Sequence, residues 1–243
     1  MQLQWLPIGH HIHIAVSNDH RFGTDAVLLA HFARPQRGER ACDLGTGCGI
    51  LPFLWLRDHI PAFFTGVELQ HEAVTLAQAS VAANGWEQSV SLFRADLRDW
   101  APLHPAAFDL VTCNPPYFPA GSGRLSHSAA ARLARQEGVG CSFDEVCTAA
   151  DRLLTDSGRF CFCHRPEQAT RLLTTLVTHG FSPVRQVLVR QQADKKPFLL
   201  LIEAQKDVMT PVCDTVQWCL FENGHPSPLY QQIYAPILEE HDL

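Results

Sequence analysis

Four short stretches of the sequence carry residue types that suit chemistry on a bound ligand. They are the glycine-rich run Asp43-Leu44-Gly45-Thr46-Gly47-Cys48-Gly49, the carboxylates Glu68 and Asp96, and the run Asn114-Pro115-Pro116-Tyr117. Each of them lies where an apolar run typical of a buried strand ends. Because parallel strands end at the same edge of a sheet, we expect the four stretches to surround one cleft.

The glycine run favours a ligand without a pyrophosphate group. Glycines between a strand and a helix let the chain turn sharply and let a ligand approach the main chain closely. The spacing here is G-x-G-x-G, whereas dinucleotide-binding loops have G-x-G-x-x-G, and no P-loop lysine follows. The run therefore predicts a nucleoside-like ligand rather than a dinucleotide or a nucleoside triphosphate.

The two carboxylates indicate which ligand this is. Glu68 follows the loop by about 20 residues and can accept hydrogen bonds from both ribose hydroxyls. Asp96 can accept one from an adenine amino group. An acidic rim suits a ligand that has no phosphates and carries a positive centre. S-adenosyl-L-methionine has these parts, so the sequence predicts it as methyl donor, with S-adenosyl-L-homocysteine as product.

The Asn-Pro-Pro-Tyr run predicts methyl transfer to an amino nitrogen. An exocyclic amine is a poor nucleophile because its lone pair is delocalised into the ring. The Asn114 side-chain oxygen and the Pro115 carbonyl can each accept one N–H hydrogen bond, which localises that lone pair. The prolines, Pro115 and Pro116, fix φ and so the direction of the carbonyl. Tyr117 offers a flat face for a base to stack on.

The elements that must position these residues alternate between strand-like and helix-like patterns. The predicted strands cover 40–44, 63–69, 90–96, 108–113, 158–164, 183–190 and 198–205, and the predicted helices cover 23–33, 50–59, 72–85, 142–154 and 167–180. This order predicts a Rossmann-like α/β fold with a mostly parallel seven-stranded sheet, whose last two strands form an antiparallel edge hairpin.

We expect one domain, 1–243, with a short β-like extension over 1–22 and an irregular, proline-rich tail over 207–243. Thr24 is the predicted cap of the first helix. Pro119 to Arg135 has weak patterning and is expected to form a loop or lid beside the site.

Composition limits the class of protein. The chain has 243 residues, of which 46% are hydrophobic and 18% charged, as expected for a soluble globular protein. No apolar run is long enough to predict a membrane span, and no secretory signal is expected. The nine cysteines include no Cys-x-x-Cys pair, which favours a reduced, cytoplasmic protein.

A metal site is not predicted. The cluster of His10, His11 and His13 has suitable side chains, but no cysteine or carboxylate lies near it in sequence. An exposed polar stretch that enters a short strand is the favoured interpretation.

The sequence resembles one known family. The runs FGTDAVLLA, DLGTGCGIL, VEL, NPPYF and ARQE, in this order, are similar to those of the bacterial tRNA(Val) adenine-N6-methyltransferases, which belong to the NPPY-type class I amino-methyltransferases. The likeness extends from about His20 to Lys206. It implies that a tRNA adenosine, at position 37 beside the anticodon, receives a methyl group from S-adenosyl-L-methionine.

The resemblance also implies a role for each matching residue. The donor's amino-acid part would contact Asp43, Gly45, Thr46, Gly47 and Gly49, with Thr24 and Asp25 near its methionine end. Its ribose would contact Glu68, and its adenine Asp96 and Leu97. Asn114 and Tyr117 would act on the base, with Phe118 and Arg135 on the substrate side.

An RNA partner requires locally placed positive charge, because the formal net charge is -6. The candidates are Arg124, Arg132 and Arg135 after the Asn-Pro-Pro-Tyr run, Lys195 and Lys196 between the last two predicted strands, and the neighbouring Arg185 and Arg190. A lysine pair in a hairpin link is also a common solubilising device, and both interpretations of Lys195 and Lys196 stay open.

Other functions use some of the same features. Glutamine N5-methyltransferases of the release-factor type share the NPPY run, but they carry a helical domain before the glycine loop, where this chain has about forty residues and a β-like start. DNA adenine methyltransferases need a target-recognition domain, for which there is no room. A non-catalytic donor-binding module would not need Asn114 and Tyr117, and the glycine spacing weighs against an NAD-dependent oxidoreductase. Neither a membrane partner nor an oligomeric state is predicted.

Overall fold

Strands and helices alternate through most of the chain. The computed structural model describes residues 2–60, 62–115, 141–208 and 213–238. The strands are β1 (Gln4–Gly9), β2 (Ile12–Val16), β3 (Arg40–Leu44), β4 (Phe63–Glu68), β5 (Val90–Arg94), β6 (Phe108–Cys113), β7 (Leu154–His164), β8 (Phe181–Arg190), β9 (Leu199–Lys206), β10 (Asp214–Cys219), β11 (Phe221–Glu222) and β12 (His225–Pro226). The helices are α1 (Thr24–Ala33), α2 (Ile50–Arg57), α3 (His71–Asn84), α4 (Leu97–Trp100), α5 (Phe143–Leu153), α6 (Ala169–Thr178) and α7 (Pro228–Leu238).

The large sheet has the strand order β10-β8-β9-β7-β6-β3-β4-β5. All neighbouring pairs are parallel except those of β9, which runs antiparallel to both β7 and β8. The predicted Rossmann-like α/β class with an antiparallel β8–β9 hairpin is therefore confirmed. The sheet has eight strands instead of the expected seven, because β10 pairs with β8.

The C-terminal tail is the part of the fold where the prediction is wrong. It contains β10, the short β11–β12 pair and α7, so it is not irregular. Because β10 lies outside β8, the predicted hairpin is inside the sheet and not at its edge. Most residues of β10 are exposed, as is usual for an edge strand, and the apolar alternation that would reveal it is weak.

Two apolar layers enclose the sheet. One contains buried residues of α1, α2 and α3, and the other contains buried residues of α5 and α6. Successive residues of β7 alternate between the layers: Cys161 and Cys163 belong to the first, Phe160 and Phe162 to the second. This period of two is what a central strand covered on both faces requires.

The ends of the helices follow local hydrogen bonding. The predicted capping box of α5 is confirmed, because the Ser142 side chain accepts from the Glu145 backbone while the Glu145 side chain accepts from the Ser142 backbone. The predicted Thr24 cap is wrong. Gly23 is the N-cap of α1, without a side-chain cap, and Thr24 is the first helical residue.

The N-terminal extension, predicted only to be β-like, forms the β1–β2 hairpin. Its turn is made by His10 and His11, both with positive φ (54° and 60°). The Ala15 backbone N–H donates to the Ser80 hydroxyl at 2.8 Å, which attaches β2 to α3. Among the described residues, no group of three or more His, Cys, Asp or Glu side chains is placed to bind a metal ion.

Within the described ranges, none of the helices combines the length and the apolar character that crossing a bilayer requires.

The C-terminal helix packs on the N-terminal hairpin. Gly9, at the end of β1, has φ +101°, and a Cβ atom there would overlap the Pro236 carbonyl of α7. A side chain at Gly9 is therefore excluded by contact as well as by backbone conformation.

We predict that Gly9→Ala lowers the free energy of unfolding more than Gly38→Ala does. Gly38 also has a positive φ (+84°), but a Cβ there would meet no atom within 4 Å. Gly38→Ala should therefore lower the free energy of unfolding by only about 1–2 kcal/mol, because of the unfavourable φ. Gly9→Ala should lower it by this amount and by the further cost of disturbing the packing of α7. Chemical denaturation of both variants measures the difference, and equal losses would contradict the packing of α7 on β1.

Candidate active site

The carboxyl ends of the central strands place the predicted site residues at one edge of the sheet. Leu44 of β3 pairs with Cys113 of β6 and with Val67 of β4. The residues that follow these three are Gly45, Asn114 and Glu68. The start of the glycine loop, the Asn114 carboxamide and the Glu68 carboxylate therefore lie side by side. The structure thus brings three of the four stretches side by side.

The glycine loop is held against the end of β4 and leaves open space on its other side. The backbone N–H groups of Gly45 and Thr46 donate to the Val67 carbonyl at 2.8 and 3.2 Å. Gly45 and Gly47 have φ of +69° and +58°, and a Cβ atom at either would meet nothing within 4 Å. These two glycines combine a left-handed backbone with room for a ligand to approach the main chain.

Gly49 has a different surrounding. It is the N-cap of α2 with φ +87°, and a Cβ there would lie 2.5 Å from the Phe53 ring. Glycine at this position lets α2 pack closely on the loop. A contact between Gly49 and the donor stays a prediction, and the backbone atoms of Gly49 would have to make it.

Glu68 is a nearly buried carboxylate, 8% exposed, at the end of β4. One of its oxygens accepts from the Gly47 N–H at 3.0 Å, and the other accepts from the Gln70 N–H at 2.8 Å. Both oxygens keep further lone-pair capacity, because a carboxylate has about four acceptor sites. The carboxylate therefore fixes the loop and retains the capacity to bind hydroxyl groups.

Asp43 is the most deeply buried acid of the site, 2% exposed. Thr112, its register partner on β6, donates its hydroxyl hydrogen to the Asp43 carboxylate at 2.7 Å. Burial raises the Asp43 pKa to about 7, and the hydrogen bond from Thr112 opposes part of this rise. Asp43 is thus ready to become ionised when a positive charge binds nearby.

Asp96 caps α4 and lies in a chain of charges. Its carboxylate accepts from the Arg98 backbone N–H at 2.9 Å and forms an ion pair with the Arg98 guanidinium, which also reaches Glu145 at 3.2 Å. The hydrogen bond from the Arg98 side chain is the main reason why the Asp96 pKa is lowered. Asp96 is therefore an ionised acceptor, and Leu97, which starts α4, is half-buried beside it.

Asn114 contacts the neighbouring strand β7. The thiol sulfur of Cys163, which is fully buried, lies 3.0 Å from the Asn114 Oδ1 atom. A thiol that donates to this oxygen limits the rotation of the carboxamide, whose oxygen has two lone pairs in all. Sequence reasoning missed Cys163 and Thr112, since only strand register brings them to the site. It also missed Arg98, although Arg98 lies only two residues after Asp96 in the chain.

Other predicted residues lie elsewhere or outside the described part of the chain. Thr24 and Asp25 start α1, where Tyr234 of α7 is near both; burial is the main reason why the Tyr234 pKa is raised to about 12. Their contact with the donor stays a prediction. Pro115 is described, whereas the following predicted residues fall in the range 116–140, which is not described: Pro116, Tyr117, Phe118, Arg124, Arg132 and Arg135.

The basic candidates between β8 and β9 differ in their surroundings. Lys195 and Lys196 are exposed in the β8–β9 connection. Arg190 donates to the Lys195 carbonyl at 2.6 Å and so shapes that connection. Arg185 forms an ion pair with Glu203 at 2.7 Å and covers the Phe32 ring at 4.0 Å. Its partners are internal, so the structure does not support Arg185 as an RNA contact.

Comparison with known sequences identifies relatives of this chain. A family model described as methyltransferase small domain matches residues 17–138. The tRNA1(Val) (adenine(37)-N6)-methyltransferase of Yersinia enterocolitica is 32% identical over 184 residues, which are 75% of this chain and 72% of that protein. The enzyme of the same name from Tolumonas auensis is 30% identical over 209 residues, 84% of each chain. The enzyme of the same name from Erwinia tasmaniensis is 31% identical, and the match spans 65% of that protein.

Solved structures share the fold at lower identity. A protein described as a predicted O-methyltransferase from Agrobacterium tumefaciens superposes with a TM-score of 0.70 at 19% identity, over 88% of this chain and 97% of that one. A SAM dependent methyltransferase from Aquifex aeolicus gives a TM-score of 0.52 at 15% identity, over 74% and 89% of the two chains.

These findings confirm the predicted class I fold and the predicted methyltransferase with S-adenosyl-L-methionine as methyl donor. The chain belongs to the methyltransferase small domain family and, within it, to the family of the tRNA1(Val) (adenine(37)-N6)-methyltransferases.

Proposed function

We propose that this chain methylates N6 of an adenosine in tRNA, at position 37 beside the anticodon of tRNA(Val). The observation that carries the proposal is the pairing of Leu44 with Cys113, which places the Asn114 carboxamide next to the glycine loop. Paired strands lie about 4.8 Å apart. An acceptor amine held by Asn114 is therefore close to any donor held by that loop.

The residues at the edge fit S-adenosyl-L-methionine. The open space beside Gly45 and Gly47 lets the amino-acid part of the donor contact their main chain. Glu68 has acceptor capacity for the ribose hydroxyls, and ionised Asp96 has it for the adenine amine. Asp43 and Glu68 together supply negative charge that favours a cationic ligand over an anionic one. When bound there, the donor supplies an electrophilic methyl group on a positively charged sulfur.

The protein makes the acceptor amine reactive by hydrogen bonding. Asn114 Oδ1 accepts one N6–H, and the Pro115 carbonyl accepts the other. Two acceptors in fixed positions turn the amine towards tetrahedral geometry, so the nitrogen lone pair points at the methyl carbon instead of into the ring. Cys163 contributes by holding the carboxamide oxygen at 3.0 Å. The amine nitrogen becomes strongly acidic as it gains the methyl group, and its proton then leaves to water without a strong general base.

The relatives support tRNA as the substrate, because the names of those reported above specify tRNA1(Val) and adenine 37. An anticodon loop presents unstacked bases, which proteins commonly bind by stacking them on aromatic rings. We assign this role to Tyr117. All nine cysteines are free thiols, which agrees with a cytoplasmic enzyme that works on tRNA.

The first prediction concerns Asn114. Asn114→Ala should lower the rate of methyl transfer about 100-fold or more, since it removes an acceptor that acts on the transition state. The dissociation constant for the donor should change little. Turnover is measured with labelled donor and tRNA, followed by nucleoside analysis for N6-methyladenosine, and donor binding is measured by calorimetry. Wild-type turnover of the variant would contradict the role of Asn114, and label in protein instead of RNA would contradict the substrate.

The second prediction concerns Glu68. Glu68→Gln should raise the dissociation constant of the donor about 10- to 100-fold, because an amide cannot replace both charged acceptors. Glu72→Gln is the matched control, since Glu72 is an exposed carboxylate in the first turn of the neighbouring helix α3. Calorimetric titration of both variants with S-adenosyl-L-homocysteine gives the comparison. If both bind as the wild type does, Glu68 does not hold the ribose.

The third prediction concerns the pH dependence that Asp43 causes. Its pKa is about 7 in the free protein, and a bound positive charge favours the ionised form and lowers that pKa. Donor binding should therefore release a proton, and affinity should rise as pH increases towards 7 and then become constant. Asp43→Asn removes this part of the slope. Titrations at several pH values in buffers with different ionisation enthalpies measure it, and identical pH profiles of wild type and variant would refute the coupling.

A further inference from the structure

A group of cations lies at the same edge of the sheet as Asn114. Strand β8 is parallel to β7 and β6, so the connection from β8 to β9 starts at the edge where β6 and β7 end. The cations at this edge come from the end of β7, the first turn of α6 and the β8–β9 connection. We call them the basic strip: Arg165, Arg171, Arg190, Lys195 and Lys196.

The described part of the fold supplies few counter-ions to the basic strip. Within the described ranges, no carboxylate lies at ion-pair distance from Arg165, Arg171 or Lys196, and all three are exposed. Lys195 has only its sequence neighbour Asp194 at 3.2 Å, and their side chains are 60% and 69% exposed. Exposed pairs of this kind are weak and exchange easily with other partners. The four exposed cations are therefore available to an external anion, while Arg190 shapes the connection that carries the two lysines.

Cations near the opposite edge are arranged differently. Arg159 forms ion pairs with Glu39 at 2.7 Å and with Glu203 at 3.8 Å, and Lys206 pairs with Asp151 at 3.3 Å. These cations are paired with carboxylates of the same chain. An acidic protein can thus present positive charge at one edge, since the position of each charge and not the net charge of -6 decides the local field.

His164 gives a second sign of this field. It ends β7 next to the strip and is half-buried. Its pKa is lowered, first by burial and further by the charges of Arg171 and Arg165, while the hydrogen bond from the Arg165 backbone N–H opposes part of this change. Both arginines are therefore close enough to act on the end of β7, one strand away from Asn114.

An exposed aromatic side chain accompanies the strip. Phe198, the last residue of the connection, is 41% exposed, and its N–H donates to the Val189 carbonyl at 2.9 Å, which fixes its place in the chain. The ring is therefore only partly buried against the fold. Cations interleaved with an aromatic ring are typical of surfaces that bind single-stranded nucleic acid.

The strand order gives the distance from the site. Strand β9 is two strands from β6, which is about 10 Å across the sheet. Asn114 is level with Cys163, which pairs with Leu201, and Phe198 lies three residues beyond that level, about 10 Å along the strand direction. The ring is thus within about 15 Å of the carboxamide, a distance suited to the nucleotides next to a target base.

We infer that the basic strip binds the phosphates of the RNA on one side of the target adenosine, and that Phe198 stacks on a neighbouring unpaired base. This inference rests on the proposed tRNA substrate and adds the surface that holds it. Arginine and lysine supply phosphate contacts without sequence preference, while the ring favours a loop with unstacked bases over a duplex. The strip thereby guides the anticodon loop of the tRNA to the catalytic edge.

The experiment compares charge removal at the two edges of the sheet. Arg165→Gln with Arg171→Gln should weaken tRNA binding about 10-fold at low salt and reduce the slope of log affinity against log salt by about 0.7 for each lost contact. The control, Arg37→Gln with Arg152→Gln, removes the same charge from exposed arginines near the opposite edge. The KM for tRNA should follow binding, while kcat and donor affinity stay near those of the wild type.

Phe198 is tested separately because stacking does not depend on salt. Phe198→Ala should weaken tRNA binding about 5- to 150-fold with an unchanged salt slope, and Phe198→Tyr should retain binding. Equal binding by the strip variant and the control variant would overturn the phosphate contact, and full affinity of Phe198→Ala would overturn the stacking. If the wild type methylates protein and no RNA, the proposed function is wrong, and the inference with it. If RNA is methylated but no strip variant changes the reaction, only the inference is wrong.

Discussion

The pairing of β3 with β6 is the constraint on which the site depends. Its register sets Asp43 opposite Thr112 and Leu44 opposite Cys113, and the hydroxyl of Thr112 donates to the buried Asp43 carboxylate at 2.7 Å. One strand then continues into the glycine loop, and the other ends in Asn114. A shift of one residue would reverse the faces of all side chains of one strand, and the glycine loop would no longer lie beside the carboxamide.

The site contains more buried acid than a fold tolerates without compensation. Asp43 and Glu68 are both less than a tenth exposed, so each must be hydrogen-bonded or lose its charge. Glu68 is compensated by two backbone N–H groups, and one of them belongs to the glycine loop itself. Asp43 is compensated less fully, and its pKa rises to about 7. We propose that a cationic donor supplies the compensation that the protein alone lacks, which would connect the electrostatics of the site to its ligand.

The features that follow from local physical chemistry could be predicted from the sequence. The glycine loop, the capping box at Ser142 and the order of central strands and helices depend on residues close together in the chain. Strand β10 could not be predicted, because its exposed edge residues lack the alternation that marks a half-buried strand. Cys163 and Thr112 were missed for another reason: their contacts exist only once the register of neighbouring strands is known. The cap of α1 was misassigned by one residue, since Gly23 and Thr24 both suit that position.

The central claim is that the Asn114 carboxamide and the donor pocket meet at one edge of the sheet. A crystal structure with S-adenosyl-L-homocysteine bound measures this directly through the distance between the sulfur atom and Asn114 Oδ1. A methyl carbon within reach of an amine that is hydrogen-bonded to Asn114 requires about 5 to 7 Å between these two atoms. A distance in this range, with the ribose on Glu68, is the predicted result. A sulfur atom more than about 10 Å away, or a product bound at another edge of the sheet, would contradict the account.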